Sequence, residues 1–159
     1  MFVNRFVQIL VLTAILLMFT CVAWAFDYTR YKEADLDVIV NDKTWVKEAP
    51  SMSLTLLEPT KLKFLVTLEN PAYPCSNGVL QAAMNMLGAG EILKQVPINS
   101  CVEVKTQGGA IVKMFIQDVL VDYLAEEVKP GEKLILYCDY LFWNANGPGI
   151  LVNEFEAVD

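Results

Sequence analysis

The chain has 159 residues, 12 basic against 19 acidic side chains, and a formal charge of −7. So acidic a surface repels the phosphate backbone that dominates nucleic-acid affinity, and it avoids anionic membrane surfaces. Histidine is absent, which removes Ser-His-Asp sites, Cys-His sites and His-bound zinc, and leaves any catalysis to carboxylates, Lys, Tyr or a lone thiolate.

Residues 1–25 carry one charge, Arg5, followed by the apolar run "ILVLTAILLMF" and the exit "AWA" before Phe26. A positive start, an apolar middle and small residues at Ala23 and Ala25 predict a secretory signal peptide cleaved after Ala25. The alternative is an uncleaved anchor, since the apolar stretch approaches the roughly 20 residues that span a bilayer. Cleavage would leave a mature chain with an even larger acidic excess, destined for the periplasm or the extracellular medium and not membrane-bound. No N-x-Ser/Thr sequon follows Phe26, which is compatible with a bacterial envelope.

Residues 26–50 are charged and aromatic with weak periodicity. Tyr31, Ala34 and Val38 could line a short helix, or the segment could be an extended arm. From residue 51 to 159 the pattern is that of a single β-rich domain. Met52, Leu54 and Leu56 alternate against Ser51, Ser53 and Thr55; Leu62, Phe64, Val66 and Leu68 repeat the pattern after a break at Glu58-Pro59-Thr60. The prolines of "NPAYPCSNG" predict a loop. Ser76 or Asn77 then caps a helix with the stripe Leu80, Ala83, Met84 and Leu87, ended by Gly88 or Gly90.

"CVEVKTQGGAIVKMFIQ" reads as a hairpin turning at its glycines, with Val102, Val104, Val112, Met114 and Ile116 on one face. "MFIQDVLVDYL" changes from strand to helix rhythm at Asp118 with no Gly or Pro between, and Asp118 is expected to cap the helix. That helix should face inward with Leu120, Val121, Leu124, Ala125 and Val128 and stop at Lys129-Pro130-Gly131. "KLILYCDYLFW" and "ILVNEFEAV" make a last hairpin around "NANGPG", with Leu151, Phe155 and Ala157 of its second strand on one face.

The expected class is therefore α+β, mainly β, with two to three short helices. Two architectures share the element order. One is a small bent antiparallel sheet closed as an OB-like five-stranded barrel, whose third strand runs into a helix that plugs the open end. The other is an open antiparallel sheet packed by helices.

Three cysteines follow the leader: Cys75, Cys101 and Cys138. Cys138 shares a strand face with Leu134, Leu136, Tyr140 and Phe142 and should be a buried, inert thiol. Cys75 and Cys101 lie at element ends, and an oxidising compartment favours pairing them. No C-x-x-C, P-loop or EF-hand spacing is present, so no metal or cofactor and no catalytic residue is expected. The carboxylate pairs Asp35/Asp37, Glu126/Glu127 and Glu154/Glu156 read as solvated surface.

The remaining lead is aromatic. With Leu134, Leu136 and Cys138 inward, the opposite face carries Tyr137, Asp139, Leu141 and Trp143, beside Glu103, Lys105, Lys113, Phe115 and Gln117 of the preceding hairpin. Lys105, Lys113, Phe115, Gln117, Tyr137, Trp143 and Asn144 are thus candidates to bind a protein or a small polar ligand. The competing expectation is that these rings pack under the N-terminal arm or under the helix that Ser76 or Asn77 caps. The functional expectation is an exported, non-enzymatic binding or assembly module. Its alternatives are a carboxylate-dependent hydrolase acting on glycans, which needs two acids converging in a cleft, and an envelope structural protein anchored by residues 1–25.

Overall fold

The computed structural model describes residues 26–42 and 54–158. The expected leader, the residues up to Pro50 that complete the N-terminal segment, and the start of the first strand at residues 51–53 lie outside the described residues. The described chain is mainly β, with one six-stranded mixed sheet and short helices: β1 (Lys32–Glu33), α1 (Leu36–Asn41), β2 (Thr55–Pro74), α2 (Gly78–Met86), α3 (Ile92–Gln95), β3 (Ser100–Lys105), β4 (Ile111–Ile116), α4 (Asp118–Glu127), β5 (Lys133–Asn144) and β6 (Gly147–Ala157).

The strand order is β1-β2-β3-β4-β6-β5, and β2 also pairs with β5. Five strands therefore follow one another in a ring, with β1 added in parallel on β2. The β4–β6 seam is parallel and rests on two residue pairs, Phe115 with Leu151 and Ile116 with Val152, so the sheet is ring-like rather than fully laddered around its circumference. The helix between the third and fourth ring strands is where the OB-like order expects it. α4 follows β4 after the single residue Gln117 and packs on β2 and β6.

The core fills the ring. Phe64, Val66, Val102, Val104, Met114, Ile116, Leu134, Leu136, Cys138, Ile150 and Val152 meet inside it, closed at one end by Leu120, Leu124 and Val128. A second apolar layer lies outside the ring, where Leu80, Ala83 and Met84 of α2 cover Leu141, Phe142 and Leu151. The disulfide Cys75–Cys101 forms and ties the end of β2 to β3 across the segment that carries α2 and α3. Cys138 is a free, buried thiol, and burial pushes its pKa well above 9.0, helped by the neighbouring charge of Asp139.

Several local expectations are corrected. Glu58-Pro59-Thr60 does not break the strand: β2 runs through it, and the β2–β5 register shifts between Leu56 and Thr60. Proline lacks an N–H, so it fits a sheet where the ladder is interrupted. Asn70–Pro74 is strand rather than loop for the same reason, with register shifts against β3 flanking Asn70. Tyr31 and Ala34 lie ahead of α1, and Val38 is exposed; the helix buries Leu36 instead.

Asp118 sits inside the first turn of α4 and makes no side-chain cap there. Its carboxylate accepts from the backbone N and Nδ2 of Asn99, both at 2.8 Å, fastening the helix to the chain entering β3. Burial opposes ionisation of Asp118, but these bonds outweigh it and hold its pKa below the usual carboxylate value. Ala125 is exposed. In β6, a register shift beside Asn153 flips the strand, so Leu151 faces α2 while Phe155 faces the ring interior.

Candidate functional site

Four of the seven candidate side chains come together at the tip of the β5–β6 hairpin. The turn is Ala145-Asn146, with Asn144 opposite Gly147. Asn144 Oδ1 accepts from the Asn146 N–H at 2.8 Å, the short-range bond that makes Asn a turn residue, and Gly147 supplies a φ of +109°. Gly149 lies opposite Phe142, and a Cβ there would run into the Phe142 ring. The missing side chain lets that ring lie flat under the strand and beside Phe115, with centroids 6.4 Å apart.

Two clefts straddle this tip, of about 280 Å³ and about 250 Å³. They share Lys113, Asn144, Asn146, Gly147 and Pro148. The first has Val40, Ile111 and Trp143 as its apolar wall; the second has Val79, Phe115 and Phe142, with Ser76 at its edge. Among the described residues no carboxylate lines either. Lys113 is exposed and stands opposite Glu103 on β3. Hydrogen bonds from Asn70 and Tyr73, and then the Lys113 charge, hold Glu103 below the usual carboxylate pKa. Trp143 is 5 % exposed and its Nε1 meets no acceptor among the described residues, so it contributes a wall rather than an open stacking face. The register shift between Tyr140 and Phe142 explains how Leu141, Phe142 and Trp143, consecutive in sequence, are all buried.

Tyr137 and Gln117 lie elsewhere. Tyr137 is covered by the N-terminal segment, in a cage with Phe26, Tyr28 and Tyr31 at centroid distances of 5.9, 4.8 and 5.5 Å. Its hydroxyl donates to Glu156 at 2.9 Å. Burial first, then this bond and the charges of Glu156 and Glu154, push its pKa up to about 12. Lys61 extends the cage, 5.0 Å over the Tyr31 ring and 2.9 Å from Asp139. Gln117 donates to Asn153, which donates to the Tyr31 hydroxyl at 3.4 Å. Lys105, on β3, lines a third cavity apart from this cage.

Glu126 and Glu127 are exposed, as expected, whereas Asp35 and Asp37 have structural work. Asp35 Oδ1 caps α1 by accepting from the Asp37 N–H at 2.9 Å. Asp37 accepts from the Thr106 hydroxyl and the Gly108 N–H, clamping α1 to the β3–β4 turn. Spacing alone could not reveal this clamp, because its partners are about 70 residues apart in sequence. Among the described residues no group of three or more Cys, Asp or Glu side chains is placed to hold a metal ion, and no described helix is long and apolar enough to cross a membrane. No known protein family and no curated protein matches the chain.

Proposed function

We propose that the protein is an exported, non-enzymatic binding module that takes a small polar ligand or a segment of a protein at the β5–β6 tip. The observation that carries this reading is the composition of the double cleft: apolar walls from Phe115, Phe142 and Trp143, with the Asn144 and Asn146 amides and one ammonium, Lys113, at the shared ridge. Small-molecule sites combine a mostly apolar surface with a few placed polar groups in this way. By fold-level analogy, OB-like barrels bind ligands on the faces of their second and third strands and with the loop between their last two; here those are β3, β4 and the Asn144–Gly147 turn. A cleft without carboxylates favours binding over acid-assisted glycan hydrolysis, which needs two of them. The disulfide supports export, because such bonds persist in oxidising compartments.

Titrating short oligosaccharides and peptides into the isotope-labelled protein tests the reading by NMR. Saturable amide shifts are expected at Lys113, Phe115, Asn144 and Asn146, and Phe115→Ala should weaken the responding ligand about tenfold, roughly 1.4 kcal/mol. Shifts that map away from the tip, or an affinity unchanged by Phe115→Ala, would refute it.

A further inference from the structure

A larger cavity than either tip cleft lies elsewhere on the sheet. It opens beside the base of the β3–β4 hairpin, has a volume of about 480 Å³, and is lined by Leu65, Thr67, Lys105, Gln107, Lys133 and their neighbours, with no acid among them. Its geometry follows from the register. Thr67 on β2 is the pairing partner of Lys105 on β3 and of Lys133 on β5. Directly opposed residues share a sheet face, and strands lie about 4.8 Å apart, so the two lysine backbones flank Thr67 at a mutual distance of about 10 Å. Two flexible four-carbon stems rooted at that distance can close on one small group above the threonine.

Both lysines are exposed, and neither takes part in an ion pair among the described residues, whereas Lys61, Lys63 and Lys94 each do. In a chain with 19 acidic and 12 basic residues, two uncommitted ammonium groups converging on one cavity are a local reversal of the overall field. Next to them Leu65 leaves a large apolar side chain exposed, and the Gln107 side chain has no hydrogen-bond partner among the described residues. Three carboxylates come near: that of Asp37 through α1, whose oxygens are occupied by Thr106 and Gly108, and those of Glu127 and Glu132, which line an adjoining cavity with Lys133 but form no ion pair with it.

We infer that this cavity is a second binding site, for a doubly charged oxyanion, namely a phosphate monoester carrying a small apolar group. Lys105 and Lys133 hold the anion from two sides, Thr67 and Gln107 offer neutral donors, and Leu65 takes the apolar group. The site shares no residue with the tip cleft, so either can fail alone.

Amide shifts of Thr67, Gln107 and Gly109 are followed while inorganic phosphate and then phenyl phosphate are titrated into the purified protein. Saturable shifts are expected for both probes, with phenyl phosphate several-fold tighter. Lys105→Gln and Lys133→Gln should each raise Kd about tenfold, and Lys94→Gln should leave it unchanged. Tighter binding of the ester identifies an organic phosphate as the ligand type; equal binding of both probes overturns the apolar part of the inference. Shifts that grow linearly without saturation, or that survive the double substitution of Lys105 and Lys133, overturn the site as a whole.

Discussion

At the scale of single residues, the tip cleft depends on a side chain that is absent. Gly149 lies against the Phe142 ring, which is 2 % exposed, and a Cβ there would overlap it. Gly149→Ala should therefore displace the ring, at a cost of about 1–3 kcal/mol, the usual range for overpacking. Because Phe142 also forms the wall beside Phe115, ligand binding at the tip should fall in the same variant. Urea denaturation supplies the first readout and NMR titration the second; an alanine variant with unchanged midpoint would show that the ring is free to move. Asp37 teaches a related lesson. Its type and its neighbour Asp35 suggest a solvated acidic pair, yet its oxygens close a contact between α1 and a hairpin turn. Residue identity marks a polar group, whereas its partner is set by how distant segments meet.

At the scale of elements, the sequence was most informative where periodicity is strong and local. The inward faces of β3, β4 and β5, the stripe of α2 and the abrupt start of α4 are all in the amino-acid pattern, because each is a run of apolar residues at period 2 or 3.6. The pairing of Cys75 with Cys101 was legible from their places at element ends. The bulges were not. Register shifts near Thr60, Asn70, Asn153 and Phe142 depend on which strand lies alongside, and they decide that Trp143 is a wall and that Leu151 faces α2. For the same reason the partnership of Lys105 with Lys133 across Thr67 was hidden: it is a fact of register between three strands. The disulfide acts on an element too. It closes a loop with a sequence separation of 26, for which chain entropy gives about 3.5 kcal/mol. Replacing both cysteines by serine should cost on the order of 3 kcal/mol. It should also raise hydrogen exchange in α2 and α3 ahead of the ring strands, since the bond holds both ends of the segment carrying them. Uniform exchange across the molecule would instead mean that this segment unfolds only with the ring.

At the scale of the whole molecule, the ring core and the N-terminal cage hold groups that resist losing a proton, and they act in one direction. Burial raises the Cys138 thiol well above 9.0. Burial, with the charge of Asp42, raises Tyr140 to about 12, and Tyr137 reaches about 12 in its cage beside Glu156. Lys61 is raised as well: burial works against its charge, but the bond and charge of Asp139 outweigh that effect. In every case the folded state binds the proton more tightly than the unfolded chain. Stability from these groups is complete below their unfolded pKa values, near 9 for the thiol and 10 for the phenols, and is lost as pH climbs through the folded values. The urea midpoint should hence decline from about pH 9 and fall most steeply between about pH 10 and 12. The part of the phenolate absorbance that Tyr137→Phe and Tyr140→Phe remove should rise together with unfolding rather than ahead of it, because these two phenols are held protonated by the folded packing. Cys138→Ala should remove the first part of the decline and leave the steeper part in place. A midpoint that stayed level to pH 11, or tyrosines that ionised fully in the folded protein, would mean that the cage and the ring interior admit water and charge that this packing excludes.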